Sequence, residues 1–479
     1  QVLTTEVLRS LYSCEDKASS VVNTCKKNYD LALSHYLRDN PTCYEHKHLV
    51  ASGGAVFKDL CAVIGKDYCR TYTLHEAVFG IEGKNFRAID SSTSAGYPFN
   101  TCGVGKSKYF HDGRPTEHFH ELKDMLSDIL ASLSNGTCPP LVFTDTVKVE
   151  RLPSEKVRKG KARLVSACPL TLTILTRKFF GGFSHAINDH PVTSGTAIGL
   201  NPYSEDWDLL ARSLLDRAGS DCCFGAGDYS KYDASLTRDI LEEVLKGIQD
   251  WYGYDDPEAT AIRQCLWNYV VRSNHIRGPL LREWTKSLPS GHPLTAVINS
   301  MANLIVLRYS WLKLHDFDYG CLDAFKDHVY VCVLGDDNLF SVSETYKDGF
   351  TEGWLSESVK DLGLTYTDDS KLVAGTSLRP LANVTFLKRS FRFEKSLGRW
   401  IAPLELDVVL ETPLWTKKGD HRGIMRTNCQ FANRELSLHG EEVFNEWIGK
   451  IEKHLGEFGV LDLNHSVALQ KCIRLDSYY

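Results

Sequence analysis

The 479-residue sequence has no run of about eighteen apolar residues, so the chain itself is not expected to span a membrane. No Cys-x-x-Cys pair and no Cys/His cluster at zinc-ligand spacing occurs among its 15 cysteines. Their odd number and scatter, with Cys222 and Cys223 adjacent, suggest free thiols in a reducing compartment. Internal repeats, low-complexity tracts and a signal peptide at the start are also lacking. The sequence starts at Gln1, not Met, which suggests release from a longer precursor or a trimmed chain. An excess of positive charge is missing too. Lys and Arg number 55 against 61 Asp and Glu, a net charge of −6, which taken alone argues against a nucleic-acid partner.

The distribution of charge matters more than its sum. "KVERLPSEKVRKGKARL", residues 148 to 164, carries Lys148, Arg151, Lys156, Arg158, Lys159, Lys161 and Arg163 against only Glu150 and Glu155. This is a basic arm on an acidic protein, either a solvated charged loop or a phosphate-binding segment. A chain this long is expected to form two or three lobes. The N-terminal third is rich in breakers around a helical segment near 117 to 133. "CCFGAGDYSKYDASLTRDILEEVLKGIQDWY" predicts a short buried strand ending at Asp228, a turn, and a helix capped by Ser235 or Thr237. "SLPSGHPLTAVINSMANLIVLRYSWL" predicts a turn and a long helix with Pro293 near its first turn. Thr295, Asn299 and Asn303 then fall on one polar stripe of that helix.

"VYVCVLGDDNLFSV" predicts a hairpin in which Gly335 lets the chain turn tightly beside Asp336 and Asp337. A second hairpin is expected to turn near Gly398, and "EEVFNEWIGKIEKHLGEF" predicts an amphipathic helix in a mostly helical terminal lobe. Strands and helices mix without a βα repeat, so the expected class is α+β.

Adjacent carboxylates need a reason. At ~4 Å and an effective dielectric of about 20, each like-charged pair costs about 4 kcal/mol, and a divalent cation reverses that sign. If the strand ending at Asp228 neighbours the hairpin, the three aspartates form a cluster of hard oxygen ligands suited to Mg²⁺. Asp228 and Asp233 form Asp-x₄-Asp, but "DYSKYDASLTRD" lacks the alternating ligands and central Gly of a calcium loop. Locally, Asp233 reads equally as a helix cap, and Ser290, Thr295 and Asn299 as caps or surface.

In order, these pieces are a basic arm, Asp-x₄-Asp, Ser-Gly-x₃-Thr-x₃-Asn, and Gly-Asp-Asp in a hairpin. That order resembles the viral RNA-dependent RNA polymerases of the picornavirus-like group, including dicistrovirus and iflavirus enzymes. "TSAGYPF", with Thr93, Ser94 and Gly96, looks like their template-entrance motif, and the basic arm like their nucleotide-entrance motif. "GDYSKYDASL", "SGHPLTAVINS" and "VLGDDNLFSV" look like the three core motifs. "TYTDDSKL" resembles the motif that supplies a lysine, and "TFLKRSF" the primer-grip hairpin. The family usually has an acidic residue directly after the first lysine of the arm. Here Val149 follows Lys148 and Glu150 comes next, which blurs the register of Lys148 and Arg151.

The resemblance implies a closed right hand with an antiparallel palm sheet. Fingers would take 1–185 and 236–285, palm 186–235 and 286–394, and a mostly helical thumb 395–479. Asp228, Asp336 and Asp337 would bind two Mg²⁺ ions, with Mn²⁺ as a substitute. Asp233 and Asn299, supported by Ser290 and Thr295, would hydrogen-bond the ribose, since the 2′-OH marks an RNA precursor. Lys161 and Arg163 would hold the triphosphate with Lys148, Arg151, Lys156 and Arg158 nearby, and Lys371 would protonate pyrophosphate. Thr93, Ser94, Gly96, Lys156 and Arg158 would contact RNA, and Lys388 and Arg389 would grip the primer. Implied partners are an RNA template and primer, NTPs, a small viral protein primer and other viral replication proteins. The implied setting is the host cytoplasm, in membrane-associated replication complexes. Rival readings are a reverse transcriptase, which usually carries a bulky residue in place of Asn299 and a tyrosine where Leu334 stands, and a catalytically silent RNA-binding palm fold.

Overall fold

The computed structural model describes residues 19–21, 26–369, 375–415, 419–455 and 461–474. Its centre is a four-stranded antiparallel sheet in the order Val329–Leu334, Asp337–Val342, Phe224–Tyr229, Tyr366–Asp368. The β-branched and aromatic runs that predict these strands are buried on both faces. Alternation sends Val333, Phe340 and Val342 into the large core and Cys332, Leu339, Phe224 and Ala226 into a second one. The long helix Thr295–Leu314 packs against strand Val329–Leu334 and helix His46–Ile64, while helix Asp206–Arg217 lies against the sheet from the second core. Two glycines make the strand Phe224–Tyr229 fit. A Cβ on Gly225 would come 2.3 Å from the Phe340 ring, and one on Gly227 would come 2.2 Å from the Tyr366 ring.

Local signals set the flanking elements. Thr237 caps helix Arg238–Tyr252 by accepting the Ile240 N–H, as one of the two expected caps. Gly335 takes φ +62° at the hairpin tip, and Gly398 takes +64° between strands Arg392–Glu394 and Arg399–Ile401. The expected placement of Pro293 needs correction. The helix starts at Thr295, whose N–H bonds the His292 carbonyl, so Pro293 sits in the preceding turn.

A second four-stranded sheet, ordered Leu280–Trp284, Ser273–Arg277, Val142–Val147, Leu164–Ala167, holds the two ends of the basic arm. Buried Asp145 accepts a hydrogen bond from Ser166 Oγ (2.7 Å) and lies 2.8 Å from His275 Nδ1, tying three adjacent strands of the sheet together. The described part of the terminal lobe beyond residue 402 is helical, with Met425, Cys429, Leu436, Phe444 and Ile448 in its core.

That lobe is fastened to the rest by a buried ion pair. Phe386 and Arg389 exchange backbone hydrogen bonds around a two-residue turn with Leu387 and Lys388 at φ +54° and +62°. Arg389 then donates to both carboxylate oxygens of Glu435 at 3.0 and 2.8 Å, and Glu435 is fully buried. Removing one partner of such a pair leaves a bare buried charge. Glu435→Ala is therefore expected to cost about 3–5 kcal/mol, read as a lowered urea midpoint, and the double change Arg389→Met/Glu435→Leu to recover most of that loss.

Candidate active site

The sheet register brings the three aspartates together. Asn338 pairs with Gly227 and Leu334 with Asp337, so the hairpin tip lies beside the end of strand Phe224–Tyr229. One carboxylate oxygen from each of Asp228, Asp336 and Asp337 lies within 4.8 Å of the others, the one such His/Cys/Asp/Glu group among the described residues. Asp228 Oδ1 accepts the Tyr229 N–H at 2.8 Å, which fixes its orientation. Burial, and then the charges of Asp228 and Asp337, push the Asp336 carboxyl up to about 8. An all-oxygen, all-carboxylate set with that much uncompensated repulsion fits a hard divalent cation such as Mg²⁺.

The helix that bonds the hairpin tip through Asn303 carries one member of a polar pair one turn earlier, and Arg163 feels the charges of both Asp336 and Asp233. Asn299 Nδ2 donates to Asp233 Oδ1 at 2.6 Å. Burial raises the Asp233 pKa, against the opposing effects of Asn299 and the Arg163 charge. The side-chain Oδ1 of Asn299 is buried without a partner, so the pair retains an acceptor for a hydroxyl. Ser290 and Thr295 spend their hydroxyl protons on backbone carbonyls. Ser290 Oγ donates to Leu164 (3.0 Å), and Thr295 Oγ1 lies 2.7 Å from the His292 oxygen. Ser290 thereby docks the start of the long helix against the strand that follows Arg163.

The basic arm runs between strands Val142–Val147 and Leu164–Ala167 through the short strand Arg151–Pro153 and the helix Ser154–Arg158, and its register is now defined. Lys148 N–H bonds the Arg163 carbonyl, and Val147 pairs with Leu164. Lys156, Arg158 and Lys161 are exposed. Arg163 is not free, because its guanidinium makes a two-pronged ion pair with Glu150, with Nε 2.8 Å from Oε1. Lys148 lies 3.6 Å from the same carboxylate. The acidic residue displaced by one position thus serves as counterion to both cations. The backbone of Arg151 pairs with Val21, and its side chain lies outside the described residues, as does the whole of Lys371.

Two expected RNA contacts are corrected. Arg389 is buried under the terminal lobe and spends its guanidinium on Glu435 and the Ala402 carbonyl, whereas neighbouring Lys388 is exposed. Gly96 is buried at φ +69°, where a Cβ would come 2.4 Å from the Cys168 carbonyl oxygen, so its evident role is to shape the loop. Thr93 and Ser94 are exposed, and Thr93 Oγ1 donates to the Asp90 carbonyl at 3.0 Å. Sequence reasoning gave no role to Tyr229, Ser300 or Asn303, which bond behind the aspartates. The polar stripe through Asn303 was the available signal.

The Asp336 shift has a stability consequence. A carboxyl whose folded pKa is raised binds more protons folded than unfolded, so stability falls as pH rises from the ordinary carboxylate range toward about 8. In metal-free protein, Asp336→Asn is expected to raise the Tm at pH 8 and to change it little at pH 4, measured by thermal unfolding in chelator.

The description "viral RNA-dependent RNA polymerase" belongs to the family whose pattern matches residues 69–455. The chain is 30% identical over 399 residues to the replicase polyprotein of Drosophila C virus, covering 79% of this chain and 22% of that protein. It is 32% identical over 402 residues to the replicase polyprotein of acute bee paralysis virus, covering 80% of this chain and 21% of that protein. The chain therefore spans about a fifth of the length of these relatives. The solved Sicinivirus 3Dpol RNA-dependent RNA polymerase superposes with a TM-score of 0.76 at 19% identity, covering 97% of this chain and 94% of that one. With a match across residues 69–455 and a right-hand polymerase fold, the chain belongs to the viral RNA-dependent RNA polymerase family.

Proposed function

We propose that this chain copies RNA by nucleotidyl transfer at Asp228 and Asp336, with Asp337 completing the site. The observation that carries the reading is the juxtaposition of the three-carboxylate cluster with the Asp233–Asn299 pair. Two Mg²⁺ ions, or Mn²⁺ in their place, would supply activation of the primer 3′-hydroxyl and neutralisation of charge on the departing pyrophosphate. Asp228 and Asp336 hold that charge in place. Asn299 Oδ1, buried and unpartnered, accepts a hydrogen bond from the ribose 2′-hydroxyl, and Asp233 orients the amide that does so. Ser290 and Thr295 keep the start of their helix in register for this contact.

The triphosphate docks on the arm. Arg163 exchanges Glu150 for phosphate oxygens, a change made affordable by the exposure of its side chain, 65%. Lys161 joins it, with Lys148, Arg151, Lys156 and Arg158 adding positive field, and Lys371 supplies the proton to pyrophosphate. Lys388 holds the primer strand, and Thr93 and Ser94 meet the template. We further propose initiation from a tyrosine of a small viral protein, release of the chain from a replicase polyprotein, and work beside other replication proteins at membranes of the host cytoplasm.

Two outcomes test the reading. Asp336→Asn should reduce extension of oligo(U) on poly(A) to the no-enzyme background, and retained extension would remove the catalytic assignment. Arg163→Ala should raise the KM for NTP about tenfold, the loss of charge-assisted hydrogen bonds, with a smaller change in kcat. An unchanged KM would contradict the arm's role.

A further inference from the structure

Behind the aspartates, one side chain bonds to both elements that carry them, to the backbone of the hairpin and to a side chain of the strand. Asn303 Nδ2 lies 3.0 Å from the Gly335 oxygen, 3.1 Å from that of Asp336 and 3.4 Å from that of Asp337. Its Oδ1 accepts the phenolic O–H of Tyr229 at 3.1 Å, and Tyr229 directly follows Asp228. Ser300 Oγ accepts the Gly335 N–H at 2.9 Å, so the hairpin tip is bonded through both its carbonyls and its N–H. All of these groups are shielded. Asn303 and Ser300 are fully buried, and Tyr229 is wedged between the rings of Tyr232 and Tyr366 at 4.7 and 5.2 Å. Four residues earlier on the same helix, Asn299 bonds Asp233, and its carbonyl lies 3.4 Å from the Tyr232 hydroxyl.

We propose that Asn303, with Ser300, is a positioning residue that sets the spacing between Asp336 and Asp228 for metal binding, on the same rigid helix that presents Asn299 to the ribose. The claim rests on the polymerase reading for its use but concerns the metal cluster directly. The physical basis is the stiffness of the support. A turn whose three carbonyls share one amide, and whose N–H is also held, cannot shift the Asp336 backbone toward or away from Asp228 without breaking buried hydrogen bonds. Helix Thr295–Leu314 is buried along Val297–Leu312, so it moves as a unit or not at all. Groups that hold the supports of metal ligands typically govern affinity by about 10–100-fold when removed.

The test is Mn²⁺ binding to the purified chain followed by electron paramagnetic resonance, with Mg²⁺ as competitor, so that it needs no turnover. Asn303→Leu keeps the volume and removes both hydrogen-bonding edges. It should weaken Mn²⁺ binding about tenfold or more, and should lower kcat with little change in the KM for NTP where extension is measured. Tyr229→Phe removes one hydroxyl alone and should weaken binding by a smaller factor in a fold that stays intact, which covers the case of Asn303→Leu failing to fold. Wild-type affinity in Tyr229→Phe, and in Asn303→Leu where it folds, would overturn the proposal. Failure of the underlying reading looks different, as Mn²⁺ affinity that Asp336→Asn leaves unchanged, or normal Mn²⁺ affinity without RNA synthesis in the wild type.

Discussion

The mutual repulsion of Asp228, Asp336 and Asp337 is the constraint around which the structure is arranged. Three carboxylates whose oxygens lie within 4.8 Å would separate in any pliable scaffold. Here they cannot, because the strands carrying them are central to a sheet covered on both faces. Gly225 and Gly227 let Phe340 and Tyr366 close over the strand, locking the register that makes neighbours of Asp228 and the hairpin. Farther along, buried Glu352 accepts the Ala226 N–H at 2.8 Å and pairs with Arg379, which also pairs with Asp369 at 2.8 Å. The strand is thus anchored behind the site as well as at it.

Charge is distributed by the same logic. A chain with net charge −6 keeps cations local, on an arm held at both ends by one sheet. Glu150 is the counterion of both Arg163 and Lys148. Arg389 shows the opposite use of a cation. Its buried pairing with Glu435 is a joint between lobes, and the exposed charge of that turn falls to Lys388.

Much of this was legible in the sequence wherever the signal was local. The Thr237 cap, the Gly335 and Gly398 turns and the strands around Gly-Asp-Asp depend on residues within a few positions of one another. The aspartate cluster was expected only on the condition that the two strands neighbour each other, and a shared role for Asp233 and Asn299 only from motif order; the hydrogen bond between those two, 66 residues apart, was not foreseen. What the sequence concealed was long-range pairing. That Arg389 would meet Glu435, that Gly96 would lie on Cys168, and that Glu150 would claim Arg163 each depends on how distant segments pack. Pro293 misled for a smaller reason, as proline fits both a first helical turn and the turn before it.

In the proposed function the Asp233–Asn299 pair reads the 2′-hydroxyl beside a carboxylate cluster that would hold metal. The most direct measurement is single-turnover incorporation by the purified chain on a primed RNA template with Mg²⁺, comparing a ribonucleoside triphosphate with its 2′-deoxy counterpart. A strong preference for the ribonucleotide that collapses in Asn299→Leu is the predicted result. Preference for the deoxynucleotide, or discrimination that survives Asn299→Leu unchanged, would contradict it.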